Sequence, residues 1–254
     1  MWRTAEHLRA AFADTVLTGC DLRTPTYATV DLSGDTVREI VSRGKHLLMR
    51  IGSTTLHTHL AMEGAWHLHR HGQRWRRPGH QARAVLTNQD WQAVGFSLGR
   101  LDVVPTAHEH SLVGHLGPDL LGDDWDPDLA VTNVLTDPDR PLGLALLDQR
   151  NLAGIGNIYR SELCFVRGVD PRCSVGQVDD LDRLVRTASK MLRVNLRQAA
   201  IVTTGNTRRG EQTWVYGRAG EPCRRCGTTI LRAELGDQPG SERSIYLCPA
   251  CQPA

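Results

Sequence analysis

Two closely spaced cysteine pairs, Cys223-Arg224-Arg225-Cys226 and Cys248-Pro249-Ala250-Cys251, decide how the last part of this sequence folds. The pairs are separated by 21 residues. Each pair places two sulfurs on one tight turn, and two such turns complete a tetrahedral site of four thiolates for Zn²⁺. Because all four ligands are protein thiolates, the metal is predicted to be structural, and a segment this small needs it to fold.

Strand-like runs at 228–233 and 244–247 adjoin the two pairs, so residues 223–251 are predicted to form a zinc-clasped hairpin. The alternative is a pair of disulfides in a secreted tail. The remaining cysteines, Cys20, Cys164 and Cys173, show no such pairing and are expected to be packed or surface thiols. Zinc hairpins also occur in ribosomal proteins, polymerase subunits and protein-interaction modules, so the finger alone does not identify a partner.

Helical patterns precede the finger. A compact apolar run spans 142–147, a glycine turn at 153–156 leads into a helix over 157–166, and residues 180–200 carry apolar side chains on one face. Asp126-Pro127 has the composition of a helix start. The acidic stretch 122–127 makes a linker the natural interpretation of residues 113–125.

Short alternating runs with turn signals fill the first half of the chain and predict strands. Examples are residues 55–60 and 84–86, and residues 37–41 and 46–51, which flank a hairpin turn at 42–45. Apolar residues recur at helical spacing over 2–13, which predicts one opening helix. The fold class is therefore α+β, with a β domain at 1–112, a linker at 113–125, a helical domain at 126–210 and a zinc finger at 211–254.

Charge is segregated along the chain although the net charge is only +2. Residues 36–86 carry nine Lys/Arg against two acids, residues 101–140 one Arg against nine acids, and residues 190–254 ten Lys/Arg against five acids. Two basic regions around an acidic one suggest a groove for a polyanion, with solvated surface as the alternative. The sequence shows no apolar run that could span a membrane and no signal-peptide block, which favours a cytoplasmic protein.

Residues 149–162, Gln-Arg-Asn-Leu-Ala-Gly-Ile-Gly-Asn-Ile-Tyr-Arg-Ser-Glu, resemble the helix–two-turn–helix signature of the formamidopyrimidine-DNA glycosylase / endonuclease VIII family. Residues 215–223 resemble the run into its zinc finger, residues 43–48 its hairpin lysine, and residues 116–119 its interdomain segment. The matches follow the family's order over the whole chain. The resemblance implies an N-terminal β-sandwich with one helix, and a helix–two-turn–helix domain at 126–210 that carries a zinc finger.

The glycine turn has a chemical role that agrees with this resemblance. Gly154 and Gly156 allow the backbone to approach a phosphate at the start of the next helix, where amides and the helix dipole favour an anion. Asn157 stands at the entrance of that helix and is a candidate hydrogen-bond donor to the same phosphate. The alternative for Asn157 is an ordinary helix N-cap.

Three further DNA contacts are implied by the resemblance. Arg243 lies where the family's finger arginine clamps phosphates, and Lys45 where its hairpin lysine touches the backbone beside the damaged nucleotide. Met62 lies on the loop that fills the gap left by a base rotated out of the stack. The alternatives are a plain surface arginine, a solvated turn lysine and, for Met62, core packing.

Three residues depart from the endonuclease VIII branch. Ala61 and Glu63 replace the larger or more polar residues that flank the void filler, and His115 falls where that branch has a DNA-contacting arginine. The Leu-Asp-Gln form at 147–149 nevertheless resembles this branch, which favours oxidised pyrimidines. The departures leave the substrate preference open.

The family's chemistry depends on an N-terminal proline, whose amine attacks the sugar C1′, and on the glutamate that follows it. This sequence opens Met1-Trp2-Arg3-Thr4-Ala5-Glu6, which resembles the interior of the family's first helix, so none of the family's catalytic Pro/Glu is present. Glu6 lies on the wrong helix face to replace the glutamate. The amine of Met1 begins about six residues late, roughly 9 Å away. Activity of the chain as written is therefore expected to be lost or impaired.

Two functions remain open at this point. The resemblance favours a base-excision DNA glycosylase with apurinic/apyrimidinic (AP) lyase activity on oxidised bases, pyrimidines above all, with a start site assigned too late. The alternative is a non-catalytic zinc-containing protein that binds damaged or abasic DNA. Both hypotheses predict that the partner is double-stranded DNA with damaged or abasic sites and that the cofactor is structural Zn²⁺. Both also predict a monomer that does not bind a membrane and that is located in the cytoplasm, associated with the nucleoid. A zinc ribbon of an RNA or protein assembly is a third reading, which leaves Lys45 and the glycine turn unexplained.

Overall fold

The structure, a computed structural model, describes residues 1–198 and 200–253. The chain divides into two compact units, Met1–His115 and Leu116–Ala254. The strands predicted for the first half of the sequence lie in the first unit, and the helices and the cysteine pairs lie in the second.

Antiparallel strands make up most of the first unit. One sheet has the order β1-β6-β7-β5 and the other β2-β3-β4-β8. A helix, α1 (Trp2–Phe12), precedes them, and a four-residue helix, α2 (His110–Val113), follows them. The strands are β1 (Gly19–Leu22), β2 (Val37–Arg43), β3 (His46–Ile51), β4 (Thr54–His59), β5 (Ala65–Arg70), β6 (Ala82–Thr87), β7 (Trp91–Phe96) and β8 (Arg100–Pro105).

The two sheets share one apolar core, which makes this unit a β-sandwich. Alternate residues of β3 point into it, as period-two strands require. Helix α1 covers the same core with Ala5, Leu8 and Phe12. The predicted sandwich with an opening helix is therefore confirmed, and the structure adds the short α2. Core members from the two sheets include Leu22, Ala84, Leu86, Leu47, Met49, Ile51 and Leu56.

Strands β2 and β3 form the predicted hairpin, and its turn is as short as a hairpin allows. Arg43 pairs with His46, so Gly44 and Lys45 are the two turn residues. Gly44 has a φ of 55°, a conformation that an L side chain rarely adopts and that tight hairpin turns require. The turn fixes Lys45 at the tip of a ladder that continues through β4 to β8.

Four α-helices and a two-stranded hairpin form the described part of the second unit. Helix α3 begins where Asp126-Pro127 predicted, because the Asp126 carboxylate accepts from the amides of Asp128 and Leu129 at 3.0 and 2.9 Å. The core of the helices includes Leu120, Leu152, Leu163 and Leu184. The elements are α3 (Pro127–Val134), α4 (Leu142–Ala145), α5 (Asn157–Arg167), α6 (Leu181–Val194), β9 (Leu231–Leu235) and β10 (Arg243–Leu247).

The predicted helix over 180–200 is too long at its end. Helix α6 stops at Val194 because the side chain of Asn195 turns the chain. Its amide nitrogen donates to the carbonyls of Met191 and Val202, and its oxygen accepts from the amide of Val202 at 2.7 Å. Residue 199, which the prediction included, lies outside the described residues.

The first predicted strand of the finger is also displaced. Residues 228–230 fold back on the first cysteine turn, since the amide of Cys223 donates to Thr228 and that of Ile230 to Glu221. Strand β9 begins only at Leu231 and pairs with β10 in antiparallel register. The hairpin itself is confirmed, with its first strand shifted.

The boundary between the two units falls between His115 and Leu116, within the segment predicted as a linker at 113–125. Residues 116–122 are part of the second unit, because the amides of Gly117 and Leu120 donate to Gln149 and Ala153. The domain boundaries expected after residues 112, 125 and 210 stay predictions. Within the part of the chain that the structure describes, no helix has both the length and the apolar character needed to cross a bilayer.

The N-cap of α3 gives a simple test of the second unit. Asp126→Ala leaves two amides without their acceptor and is expected to lower the free energy of unfolding by roughly 0.5–2 kcal/mol in a urea titration. Asp123→Ala is the matched control, because Asp123 is exposed and accepts no hydrogen bond from the described residues. An equal loss in both variants would contradict a specific capping role.

Candidate metal centre and nucleic-acid interface

Four cysteine sulfurs meet at the base of the finger. The ligand atoms of Cys223, Cys226, Cys248 and Cys251 all lie within 4.8 Å of one another. Two of these sulfur pairs are separated by 4.0 and 3.5 Å. Sulfurs bound to a tetrahedral Zn²⁺ at about 2.3 Å lie about 3.8 Å apart, so the donor set and its spacing both fit this metal.

Four thiolates fill the coordination sphere of Zn²⁺, so the metal's role is structural and it offers no open position for a reactant. Hydrogen bonds from the side chain and the backbone of Thr228 lower the pKa of Cys226 to about 6. Burial raises the pKa of Cys248. Binding Zn²⁺ requires all the thiols to lose their protons, so the metal must supply the free energy for the buried ones.

The finger packs on α5 through a small apolar cluster. Phe165 of α5 shares this cluster with Val215, Ile230, Cys223 and Cys248. The guanidinium of Arg225 lies 4.5 Å from the centre of the Phe165 ring, a cation–π contact. Gln252 adds a polar link, because it accepts from the amide of Cys248 and donates to the carbonyl of Val169.

The turn before α5 uses its two glycines differently. Gly154 has a φ of 116°, which only glycine adopts without strain. Gly156 is the N-cap residue and is extended, with φ −119° and ψ 179°, so its conformation does not itself require glycine. No side chain of the described residues caps α5, which leaves its first amides available to an anion.

Asn157 is the first helical residue of α5, so its interpretation as an N-cap is wrong. Its side-chain nitrogen donates to the carbonyl of Ser244 in β10 at 2.9 Å. Its oxygen accepts from the guanidinium of Arg160. Asn157 therefore joins the start of α5 to the strand that begins with Arg243.

Arg160 strengthens the same junction from inside the protein. It is fully buried, with 0% of its surface exposed, and it donates to the carbonyls of Arg243 and Ser244 at 3.3 Å. Burial, and to a smaller extent the charge of Arg243, lowers the pKa of Arg160 to about 10, so it stays cationic at neutral pH. The side chain of Arg243 is exposed at the first position of β10.

A buried glutamate on the same helix, which the sequence analysis missed, organises the chain that enters the finger. Glu162 accepts from the amides of Trp214, Val215 and Tyr216 at 2.8, 2.9 and 2.8 Å, and from the hydroxyl of Thr203. The carboxylate thus satisfies three consecutive backbone donors that no strand or helix serves. The sequence did offer a signal for this role, because Glu162 is the last residue of the signature at 149–162.

A chain of histidines lies beside Lys45 in the first unit and was also missed. The Nδ1 of His46 and the Nε2 of His57 are 2.8 Å apart, and the Nδ1 of His57 is 2.8 Å from Asp102. Because the carboxylate can only accept, His57 carries its proton on Nδ1 and accepts the proton of His46 on Nε2. The alternation His57-Thr58-His59 in a strand paired with His46 was the signal.

Burial keeps these imidazoles neutral. It lowers the pKa of His46 to about 4, together with the neighbouring His57, His59 and His115. It also lowers the pKa of His57 and of His59, the latter with help from the charge of Lys45. At neutral pH the positive charge of this turn therefore comes from Lys45.

Met62 is 93% exposed, so the alternative that it packs in a core is wrong. It lies in a turn after β4 whose first residue, Ala61, has a φ of 52°. The amide of Ala61 donates to Nδ1 of His59 at 3.0 Å, which links this turn to the histidine chain. The guanidinium of Arg77 donates to the carbonyl of Glu63 on its other side.

The structure thus gathers the predicted site residues in two places. Gly154, Gly156, Asn157 and Arg243 share the α5–β10 junction of the second unit. Lys45 and Met62 lie on two turns of the first unit that both act on His59, one through the charge of Lys45 and the other through the amide of Ala61, the neighbour of Met62. Their contact with DNA stays a prediction.

Family models match almost the whole sequence. The formamidopyrimidine-DNA glycosylase N-terminal domain matches residues 3–102, and the formamidopyrimidine-DNA glycosylase H2TH domain matches residues 116–209. A zinc finger found in FPG and IleRS matches residues 220–254. The finger match and the four clustered cysteines together confirm the structural zinc.

Relatives match over the same length. The probable endonuclease 8 2 of Streptomyces coelicolor is 52% identical over 257 residues, covering 99% of this chain and 92% of that protein. The DNA-(apurinic or apyrimidinic site) lyase Nei2 of Mycolicibacterium smegmatis is 51% identical over 254 residues, covering 100% and 97%. A crystal structure of Lactococcus lactis FPG with FAPY-dG-containing DNA superposes with a TM-score of 0.82 at 22% identity, covering 99% and 98%, which confirms the fold.

Removal of zinc is expected to unfold the finger while the β-sandwich stays folded. Amide hydrogen exchange measured by mass spectrometry in a chelator should show loss of protection in peptides from 220–253 and none in peptides from β3 and β4. The reason is that the finger has little apolar core of its own beyond the cluster on Phe165. Retained protection in the finger would contradict a metal-dependent fold.

The histidine chain predicts a pH dependence. Because the pKa of His46 is lower in the folded state than the ordinary 6.5, the unfolded chain binds more protons between pH 6.5 and 4. The stabilisation is complete above pH 6.5 and is lost as the pH falls towards 4, by roughly 1–3 kcal/mol. Urea titrations at pH 7 and pH 5 should show that the free energy of unfolding falls less between the two pH values for His46→Asn than for the wild type. His80→Asn, at an exposed position, should leave the loss unchanged.

Proposed function

The chain belongs to the formamidopyrimidine-DNA glycosylase / endonuclease VIII family, and we propose that it excises oxidised bases, pyrimidines in the first place, from double-stranded DNA and cleaves the strand at the abasic site. In this proposal it is a base-excision repair glycosylase with AP lyase activity. It works in the cytoplasm, on the DNA of the nucleoid. The relative named DNA-(apurinic or apyrimidinic site) lyase, at 51% identity over the full chain, supports the lyase activity.

The observation that carries the proposal is the α5–β10 junction. The uncapped start of α5 and the exposed side chain of Arg243 are held next to each other by the bond from Asn157 to Ser244. Helix amides favour an anion, and an arginine binds phosphate with its planar donors. We therefore assign Gly154, Gly156, Asn157 and Arg243 to one phosphate-binding surface.

In the first unit we assign Lys45 to the DNA backbone and Met62 to the gap left by the extruded base. Base excision requires the damaged nucleotide to leave the stack, and an exposed apolar side chain can fill the space it vacates. Met62, at 93% exposure, has the accessibility that this role needs. Lys45 supplies positive charge at a turn whose histidines are neutral.

The zinc contributes no step of the reaction. Its four protein thiolates keep β9 and β10 in place and so keep Arg243 at the surface. The nucleophile and general acid of the family are an N-terminal proline and the glutamate after it, and the residues Met1-Trp2-Arg3 of this sequence are neither. The chemical step is therefore tested with a chain that carries the N-terminal proline and the glutamate.

The decisive experiment is borohydride trapping on abasic duplex DNA, with the 254-residue chain and with a form extended at its front by about six residues that open Pro-Glu-Gly. The extended form is expected to give a covalent adduct, because the proline amine forms a Schiff base with the opened sugar. A matched form that opens Pro-Gln-Gly should excise bases about 10²–10⁴-fold more slowly.

The outcomes separate the two candidate functions. No adduct with the extended form, together with tight binding to abasic duplex, would establish the alternative of a non-catalytic protein that binds damaged DNA. No preference for abasic over undamaged duplex would reject both. A panel of oxidised pyrimidines and purines in the same assay measures the base preference.

A further inference from the structure

A basic segment between β5 and β6 has no part in the function proposed so far. Residues 70–83, which we term the basic arm, contain five arginines and no aspartate or glutamate. The arm runs from the last residue of β5 into the start of β6, and it covers the outer face of the β1-β6-β7-β5 sheet. The arginines are Arg70, Arg74, Arg76, Arg77 and Arg83.

The arm is held in one conformation by contacts along its length. Trp75 packs its ring edge on Phe96 at 5.8 Å between centroids and donates from its indole nitrogen to Gln92 at 2.6 Å. Before it, His71 hydrogen-bonds to the carbonyl of Asn88 at 2.9 Å. Arg74 lies between these two anchors and Arg76 directly follows Trp75, so the backbone at both arginines is held in place.

Two of the arginines are left uncompensated. Arg74 and Arg76, on either side of Trp75, are exposed, and their side chains make no hydrogen bond or ion pair with residues 1–198 or 200–253. Arg70 is engaged, since it lies 3.8 Å from the Trp91 ring and 4.0 Å from Asp90. Burial lowers the pKa of His67, which lies beneath the arm, and the charges of Arg77 and Arg76 lower it further.

A fixed cluster of like charges destabilises the free protein through self-repulsion, unless a partner neutralises it. The anchoring of Trp75 shows that the arm does not offer an apolar side chain to a lipid surface. Its chemistry is that of guanidinium groups held in the open, which suits the phosphates of a nucleic acid.

The position of the arm indicates which nucleic acid. Arg77 donates to the carbonyl of Glu63 at 2.7 Å, so the arm adjoins the turn that carries the exposed Met62. If Met62 enters the duplex where a base has left it, the guanidinium groups of the arm lie beside the backbone that flanks the gap. The arm and this turn belong to the same compact unit.

We propose that the basic arm is a second DNA-binding surface, in which Arg74 and Arg76 contact backbone phosphates of the duplex next to the lesion. The inference rests on the proposed function for the placement of Met62. These contacts read no base and no lesion, because phosphates carry no sequence information. They raise the affinity for abasic and undamaged duplex by the same factor.

Salt dependence measures the contacts directly. Binding of fluorescein-labelled duplexes, one with a tetrahydrofuran abasic analogue and one undamaged, is followed by anisotropy between 50 and 200 mM salt. Each phosphate contact contributes about 0.9 to the slope of log K against log salt, so Arg74→Gln/Arg76→Gln should reduce the slope by about 1.8. The affinity ratio of wild type to variant should shrink about tenfold over this range.

Matched variants isolate the arm. Arg183→Gln/Lys190→Gln removes two exposed charges from α6 and should leave the slope nearly unchanged. Arg74→Lys/Arg76→Lys keeps the charges and should keep the slope. Because Arg74 and Arg76 are exposed, make no hydrogen bond or ion pair with the described residues and repel their neighbours, the glutamine variants should unfold at a urea concentration no lower than that of the wild type.

The outcomes are distinguishable from those of the proposed function. If the wild type prefers abasic duplex but the glutamine variant has the wild-type slope, the second surface does not exist. A reduced slope together with a changed ratio of the affinities for abasic and undamaged duplex would also overturn the inference, because the arginines would then contact the lesion itself. A wild type without preference for the abasic site rejects the proposed function, whatever the arm does.

Discussion

The four thiolates of the finger are the constraint on which the α5–β10 junction of the second unit depends. Residues 220–253 bury few apolar side chains of their own, so Zn²⁺ must join the two cysteine turns before β9 and β10 can pair in register. The start of β10 then presents the carbonyls of Arg243 and Ser244 to α5. The exposed position of the Arg243 side chain follows from a metal that lies at the opposite end of the same strand.

Helix α5 holds this hairpin from two sides with two charged residues that are two positions apart. Arg160 donates to carbonyls at the start of β10, and Glu162 accepts the amides of the segment that leads into the first cysteine turn. Both are completely buried. The Glu162 carboxylate has its hydrogen bonds made, as a buried charge requires, whereas Arg160 bonds through Nη2 alone, and its Nε and Nη1 have no partner among the described residues. Replacing either residue removes a hydrogen-bond partner from several backbone groups. One turn of helix therefore joins the zinc finger to the helical core.

The sequence sufficed for what short-range rules determine. Cysteine spacing located the metal, the Asp126-Pro127 pair located a helix start, and Gly44 with Lys45 located a hairpin turn. It did not suffice where hydrogen bonds to residues outside the local pattern decide. Helix α6 ends early because Asn195 bonds to Val202, and the side chain of Asn157 serves a strand 87 residues away instead of capping its own helix. The histidine chain needs the register of three strands, which no local pattern specifies.

The segregation of charge along the sequence acquires a physical meaning in the structure. Several acids of the region 101–140 are bound internally: Asp102 holds His57, Glu109 pairs with Arg50, and Asp126 caps α3. Their charge is used within the fold. The arginines of the basic arm show the reverse, since Arg74 and Arg76 face solvent without a partner in the described chain although Trp75 between them is firmly packed. A count of charges cannot separate these cases; the difference lies in whether each charge already has its counter-ion inside the protein. The uncompensated arginines of the arm are among the charges whose free energy an external polyanion can lower.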